Sequence, residues 1–187
     1  MKKYLLPSLK LTLVLIIICS VLYPLFIAAV AKLAPGRGKG ETLSVNDKVV
    51  GYANVGQKFT DDKYFWSRPS AVDYNAAGSA GSNKGPTNPD YLKQVQDQID
   101  TFLVHNLGVK KEDIPAEVVT ASGSGLDPDI SPQGAYVQVA RIAKTRNIPA
   151  EKIKMLVAQQ IQKPLLGLFG PEKVNVLKVN IELDKLK

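Results

Sequence analysis

An uncharged run of 21 residues near the amino terminus, from residue 11 to residue 31, restricts this chain more than any other feature. At about 1.5 Å per residue, a helix of this length spans roughly 30 Å, the thickness of the hydrocarbon core of a bilayer. The run has no polar face, whereas a helix on the surface of a soluble protein alternates apolar and polar positions. We therefore expect a transmembrane helix at about 11–31, within a membrane anchor that covers residues 1–34.

A removable signal peptide is the alternative interpretation of this run, because lysines precede it and Ala29-Val30-Ala31 resembles a cleavage site. The apolar region of a signal peptide usually has about 7 to 15 residues, which is shorter than this run. We therefore favour an uncleaved signal-anchor, with the amino terminus in the cytoplasm and the large domain outside. Basic residues are nearly equal in number on the two sides, so charge alone does not decide the orientation. Pro24 is expected to bend the helix or free a carbonyl near Ser20.

Composition excludes several kinds of site in the remainder of the chain. The net charge is +7, but no dense cluster of lysine and arginine with interleaved aromatic residues occurs, so nucleic acid is not an expected partner. The only cysteine, Cys19, lies in the apolar run, which excludes an intrachain disulfide and a zinc site built on thiolates. The only histidine is His105, so a site with two histidine ligands is impossible, and we expect no metal site.

The residues after the anchor, 35–187, are expected to form one extracytoplasmic α+β domain. They are numerous enough for a hydrophobic core of their own. An alternation of apolar and polar residues near the carboxyl terminus predicts a half-buried strand there. In chain order, the predicted elements are a strand pair around 49–55 with a turn near Gly51 or Gly56, a helix capped by Asn88, a short strand at 118–120, a helix capped by Ser131, a helix that begins near Pro149, and the strand at 174–183.

Two predicted loops, residues 64–71 and 76–89, have an unusual amino-acid composition. The segment 64–71, YFWSRPSA, is either a small internal core with Arg68 paired to a carbonyl or carboxylate, or a docking surface, since Trp, Tyr and Arg dominate interface hot spots. The loop 76–89 is rich in glycine and serine, but the spacing around Lys84 does not fit a phosphate-binding loop. The candidates for docking to a partner are Phe65, Trp66, Arg68, Pro69, Asn83 and Pro86.

A third loop, residues 120–132, lies between a predicted strand and a predicted helix. Its glycines and serines could form a nest of backbone N–H groups that binds an anion, although Asp127 and Asp129 would repel phosphate. A catalytic triad of Ser124, His105 and Asp127 can be written down, but the serine is not in a nucleophile elbow. The alternative function that such a triad would imply is a membrane-tethered envelope hydrolase that uses Ser124 and His105.

Taken together behind one membrane helix, these segments closely resemble a known family, the C subunit of the Kdp potassium-transporting ATPase. The resemblance covers nearly the whole chain, and the combination of motifs is far more specific than any single glycine-rich loop. The segments that carry it are YFWSRPSA (64–71), GSNKGPTNP (81–89), VTASGSGLDPDISP (119–132), VQVARIA (137–143) and VNVLKVNIELD (174–184).

The resemblance implies a complex in the bacterial inner membrane that imports K⁺ at the expense of ATP. Its partners would be a channel-like subunit that carries the ion, a P-type ATPase subunit that is phosphorylated, and the lipid bilayer. The chain would be the single-pass accessory subunit, without catalytic residues and without a firmly bound cofactor, and it contains no D-K-T-G-T sequence to accept phosphate. The resemblance also implies a catalytic chaperone that raises the ATP affinity of the ATPase subunit. The matching candidates for nucleotide contact are Ser122, Gly123, Ser124, Gly125 and Gln138.

Overall fold

The computed structural model describes residues 2–186 and divides the chain into two compact units, 1–42 and 43–187. The first unit contains a helical run with three parts, namely α1 (Lys2–Ile17), a π-helical turn (Ile18–Leu22) and α2 (Tyr23–Ala31), and then a 3₁₀ turn at Pro35–Gly38. The helix from Lys3 to Ala31 has 29 residues, and its length and composition allow it to cross a membrane. It therefore begins well before residue 11, where the uncharged run starts.

The π-helical turn confirms the irregularity expected near Ser20. Because Pro24 has no N–H group, it cannot donate the hydrogen bond that the carbonyl of Ser20 would normally accept. The helix accommodates this loss by widening at Ile18–Leu22, immediately before the proline.

The second unit is an α+β domain, as the sequence predicted. One of its two small sheets is the pair β1 (Thr42–Val45) and β2 (Lys48–Tyr52). The other is antiparallel, with β5 (Lys173–Asn175) between β3 (Asp129–Ile130) and β4 (Ile161–Gln162), and Val174 of β5 lies opposite both Ile130 and Ile161. Two 3₁₀ turns, Lys111–Asp113 and Ala116–Val118, follow the first helix of the domain. The strands and helices are β1 (Thr42–Val45), β2 (Lys48–Tyr52), α3 (Pro89–His105), β3 (Asp129–Ile130), α4 (Pro132–Tyr136), α5 (Val139–Arg146), α6 (Ala150–Gln160), β4 (Ile161–Gln162), β5 (Lys173–Asn175) and α7 (Val176–Lys185).

The hairpin β1–β2 turns at Asn46 and Asp47, not near Gly51 or Gly56 as the sequence predicted. Both turn residues have positive φ angles, 50° and 62°, as a two-residue hairpin turn of type I′ requires, and asparagine and aspartate tolerate them better than most residues. Gly51 instead lies within β2, where a Cβ atom would overlap Gln57 Nε2 and approach Leu177 Cδ2 to 2.8 Å. A side chain at this position would therefore clash with its neighbours within the domain.

The predicted strand at 174–183 is wrong beyond residue 175, because α7 begins at Val176. The side chain of Asn175 accepts a hydrogen bond from the backbone N–H of Lys178 at 3.0 Å and caps the helix. The buried residues Val176, Val179 and Leu183 are three and four positions apart, which is helical spacing. Since the last two also fit an alternating pattern, the sequence alone was ambiguous at this point.

Three further predicted elements need smaller corrections. Residues 118–120 do not form a strand, although Val118 and Val119 are buried against Phe102. The helix capped by Ser131 is confirmed at its start but is divided into α4 and α5. The helix after Pro149 ends at Gln160, so the next residue belongs to β4.

The core of the domain lies between α4–α7, the three-stranded sheet and an irregular segment around residue 65. Burying aliphatic and aromatic surface is the main favourable contribution to its stability. The fully or nearly fully buried members are Phe65, Ile130, Ala135, Val139, Ile142, Ile153, Leu156, Val157, Val174, Val176, Val179 and Leu183.

Candidate functional site

Two buried amide side chains, Gln138 of α4–α5 and Asn180 of α7, hold the irregular segment that contains Phe65 and Trp66. The N–H of Phe65 donates to Asn180 Oδ1 at 2.9 Å, and Asn180 Nδ2 donates to the Phe65 carbonyl at 3.0 Å. One residue later, the N–H of Trp66 donates to Gln138 Oε1 at 2.7 Å, and Gln138 Nε2 lies 3.4 Å from the Trp66 carbonyl. We call the two amide residues, Gln138 and Asn180, the amide clamp. It satisfies backbone groups that a neighbouring strand would otherwise pair.

Arg141 extends the amide clamp into a buried charged network. Its guanidinium donates to three acceptors, which are Asn106 Oδ1 at 3.0 Å, the carbonyl of Asp62 at 2.6 Å and Gln138 Oε1 at 2.8 Å. The same group lies 4.5 Å from the centre of the Trp66 ring, within the range of a cation–π contact. Burial lowers the pKa of Arg141 to about 10, and nearby Asp62 opposes the shift. The side chain therefore stays charged at neutral pH.

A cleft of about 370 Å³ lies beside the amide clamp, between α3 and residues 58–74. The rings of Trp66 and His105 meet edge to face in its wall, with centres 4.8 Å apart, and His105 Nδ1 lies 2.8 Å from Asp62 Oδ1. The hydroxyl of Tyr74 donates to the Arg68 carbonyl, and burial raises the pKa of this hydroxyl to about 12. The cleft thus combines aromatic walls with polar groups that are already paired with one another.

Arg68 connects this cleft to the glycine- and serine-rich loop that follows residue 120. Its Nη1 lies 2.8 Å from Asp127 Oδ2, whereas its Nε is buried without a hydrogen-bond partner among the described residues. The hydroxyl of Ser70 donates to the carbonyl of Gly125 at 2.6 Å, and the Ser122 N–H donates to the carbonyl of Pro69 at 3.3 Å. The two loops are therefore joined to each other over several residues.

The six docking candidates occupy different positions. Phe65 is fully buried in the core, so its side chain presents no surface to a partner, which corrects its choice as an anchor. Trp66 is partly buried between Arg141 and the cleft, and Arg68 and Pro69 are partly buried against the loop after residue 120. This arrangement corresponds to the internal-core interpretation of the segment, with Arg68 paired to a carboxylate. The two candidates that lie exposed on the surface are Asn83 and Pro86.

The nucleotide candidates are also occupied by contacts within the domain. Gln138 is fully buried, and its amide groups bind Trp66, Arg141 and the carbonyl of Gly134. Ser122 is buried, and its hydroxyl accepts a hydrogen bond from the N–H of Gly125 at 3.0 Å.

Of the remaining nucleotide candidates, Gly123 and Ser124 are exposed, whereas Gly125 is buried. The hydroxyl of Ser124 lies 3.3 Å from that of Ser79. A Cβ atom at Gly125 would approach the carbonyl oxygen of Ala80 to 2.6 Å, so the loop packs tightly at this point.

The structure does not bring the three triad residues together. His105 pairs with Asp62, Asp127 pairs with Arg68, and Ser124 contacts another serine hydroxyl. The alternative of an envelope hydrolase is therefore not supported.

Sequence reasoning missed Asn180 and Arg141, the two polar residues that anchor the network beside Gln138. For Arg141, the sequence did contain a signal, namely a charged residue between the apolar residues Val139 and Ile142 of a predicted helix. A polar group buried in this way needs hydrogen-bond partners. For Asn180, the helical stripe of α7 was misread as a strand, which placed the asparagine on the solvent face.

Comparison with known proteins gives a match over nearly the whole chain. The family model described as KdpC, the c chain of the K⁺-transporting ATPase, matches residues 5–185. A potassium-transporting ATPase KdpC subunit from Flavobacterium johnsoniae is 60% identical over 185 residues, which cover 99% of this chain and 100% of that protein. The corresponding protein of Bacteroides fragilis is 56% identical over 188 residues, with 99% and 98% covered. That of Caldanaerobacter subterraneus is 46% identical over 177 residues, with 94% and 92% covered.

Proposed function

Because the chain belongs to the KdpC family and is therefore an accessory subunit of a K⁺-transporting ATPase complex, we propose that its second unit acts by docking and contributes no catalytic residue. The observation that carries this proposal is the internal use of the reactive side chains. His105, Asp127 and Gln138 each bind another group of the same domain, namely Asp62, Arg68 and Arg141. Such a domain can hold other subunits in position without taking part in the chemistry.

The partners that we propose are a channel-like subunit that carries K⁺ and a P-type ATPase subunit. The test is purification of the tagged full-length chain from membranes in a mild detergent. We expect both large subunits to purify with it, and the K⁺-dependent ATPase activity of the complex should survive His105→Ala. A chain that purifies alone, with a hydrolytic activity that His105→Ala abolishes, would contradict the proposal and restore the hydrolase alternative.

We further propose that any effect on ATP affinity arises through docking and without contact between nucleotide and the loop 122–125. Ser124 is the accessible hydroxyl of this loop, so Ser124→Ala is the informative variant. We expect the ATP concentration that gives half-maximal K⁺-stimulated turnover to change by less than about twofold. A large increase with assembly unchanged would favour direct nucleotide binding and contradict the docking mechanism.

The side of the membrane on which the second unit works is the third part of the proposal. We place it outside the cytoplasm, at the bacterial inner membrane, with the amino terminus in the cytoplasm. In a Cys19→Ala background, Lys111→Cys at an exposed position of the domain should react with an impermeant maleimide in intact spheroplasts. The matched control, Lys3→Cys at the other end of the membrane helix, should react only after lysis. The reverse pattern would place the domain in the cytoplasm.

A further inference from the structure

The connection between β4 and β5 carries four large apolar side chains within five residues. Leu165, Leu166, Leu168 and Phe169 are 70%, 81%, 81% and 63% exposed, and we call these four residues the apolar tip. Other exposed apolar residues of the second unit, such as Val104 and Leu107, are not gathered so densely. A soluble surface rarely leaves such a cluster open to water unless it binds something.

The backbone of this connection is held in a defined shape. Leu165 and Phe169 form an isolated antiparallel bridge, and each N–H donates to the other's carbonyl at 3.0 Å. The N–H of Gly167 donates to the carbonyl of Pro164 at 2.9 Å, which closes the turn. Leu166 has a φ of 55°, a conformation that an L-residue other than glycine, asparagine or aspartate seldom adopts. The loop therefore combines a strained backbone at Leu166 with exposed apolar side chains. Strain of this kind is often found at functional sites.

We propose that the apolar tip docks into an apolar groove on another subunit of the same complex. This inference rests on the proposed docking function and names the surface that performs it. The segment around Phe65 cannot supply the anchors, because it lies inside the domain. Among the described residues of the second unit, the apolar tip offers the densest run of exposed apolar side chains.

The charges around the apolar tip favour a protein groove over a lipid surface. Segments that bind the membrane interface combine apolar residues such as Leu and Phe with an excess of Lys or Arg, and Trp and Tyr are enriched at the same level. Residues 163–171 contain no Trp or Tyr, and Lys163 at one end is balanced by Glu172 beyond the other. The remaining nearby lysine, Lys173, is already paired with Asp129 at 2.6 Å. No excess positive charge is left to attract anionic headgroups.

The shape of the loop also argues against a second copy of this chain as the occupant. A symmetric dimer places the same patch of each copy against the other. Two patches of only four residues each that met in this way would cover little of each other's surface, less than a stable dimer needs. The partner is therefore a different subunit, with a groove complementary to leucine and phenylalanine.

The first test compares Leu166→Asp with Leu107→Asp, which introduces the same charge at a site that is 70% exposed but outside the apolar tip. Each full-length variant is co-expressed with the other subunits, and the complex is purified through a tag on one of them. We expect Leu166→Asp to reduce the amount of co-purified chain by at least about tenfold, whereas Leu107→Asp leaves it unchanged. The fluorescence of the single tryptophan, Trp66, verifies that each variant is folded.

The second test places a benzophenone amino acid at position 166 in the assembled complex and irradiates it. A covalent adduct with another subunit is the expected result. Adducts with lipid alone, or with a second copy of this chain, would overturn the proposal, as would normal co-purification of a folded Leu166→Asp variant. If the wild-type chain itself fails to co-purify, the proposed docking function is wrong. If wild type and Leu166→Asp co-purify equally, only the role of the apolar tip is wrong.

Discussion

The backbone groups of Phe65 and Trp66 are bound within the domain by the side chains of the amide clamp. In contrast, Leu166 and Leu168 lie in a loop and are each 81% exposed. Both segments are irregular and apolar, so hydrophobicity does not separate them. The difference is in how each satisfies its backbone groups. The buried segment needs the amide clamp, because a buried N–H or carbonyl without a partner is costly. The exposed loop satisfies its groups locally, because Leu165 pairs with Phe169 and the N–H of Gly167 donates to the carbonyl of Pro164.

The largest effect that tests this comparison is expected from Gln138→Ala. The substitution leaves the N–H of Trp66 and one guanidinium nitrogen of Arg141 buried without their acceptor. We expect a loss of about 2–6 kcal/mol in the free energy of unfolding, since two such groups are left unpaired and each costs about 1–3 kcal/mol. Unfolding of the full chain in mild detergent, followed by Trp66 fluorescence, measures it. Gln159→Ala, at an exposed position of α6, is the matched control, and a loss as small as that of the control would refute the role of the clamp.

Alkaline pH is expected to have an intermediate effect on the stability of the domain, because it acts on Tyr74 beside the buried segment. The folded-state pKa of Tyr74, about 12, is above the ordinary value of 10.0, so the folded state binds this proton more tightly. The stabilisation is complete below pH 10 and is lost as the pH rises through 12. Arg141 has the opposite sign, because its lowered pKa makes its burial less costly as the pH rises above about 10.

Tyr74→Phe isolates the first of these two contributions. The stability of this variant should fall less steeply than that of the wild type between pH 10 and pH 12, as measured by Trp66 fluorescence at fixed denaturant. Parallel curves for the two proteins would show that Tyr74 has no raised pKa. Residues 164–171 contain no ionisable side chain, so the apolar tip should be insensitive to the same change of pH.

The smallest effect on stability is expected at the apolar tip itself. Leu166→Ser removes an exposed side chain that contributes little to the core, so the free energy of unfolding should change by less than about 0.5 kcal/mol. Chemical unfolding of the uncomplexed chain is the measurement. A loss of 2 kcal/mol or more, on the scale of a buried leucine, would show that the loop packs inside the domain.

The sequence predicted those parts of the fold that depend on local signals. Asn88 and Ser131 cap helices as expected, because each sits before a proline at the start of an apolar stripe. The resemblance of several separate loops to one family identified the function, which the comparisons confirm.

The remainder depends on contacts between residues far apart in the chain. Phe65 and Asn180 are separated by 115 positions, and no local pattern shows that an asparagine will bind that backbone. Likewise, a Cβ atom at Gly51 would crowd Leu177, which lies far away in the chain. The start of α7 was missed for a different reason, since two of its apolar residues fit both a helical and an alternating period.

The π-helical turn before Pro24 changes how the membrane helix presents its side chains. One residue more than an α-helical turn rotates everything that follows by about 100° around the helix axis. A single helical wheel drawn through residues 3–31 therefore assigns the wrong orientation to one half of the span. Residues before Ile18 and after Leu22 form two stripes with different azimuths. A neighbouring helix that follows one of these stripes along the bilayer must leave it at the level of the turn.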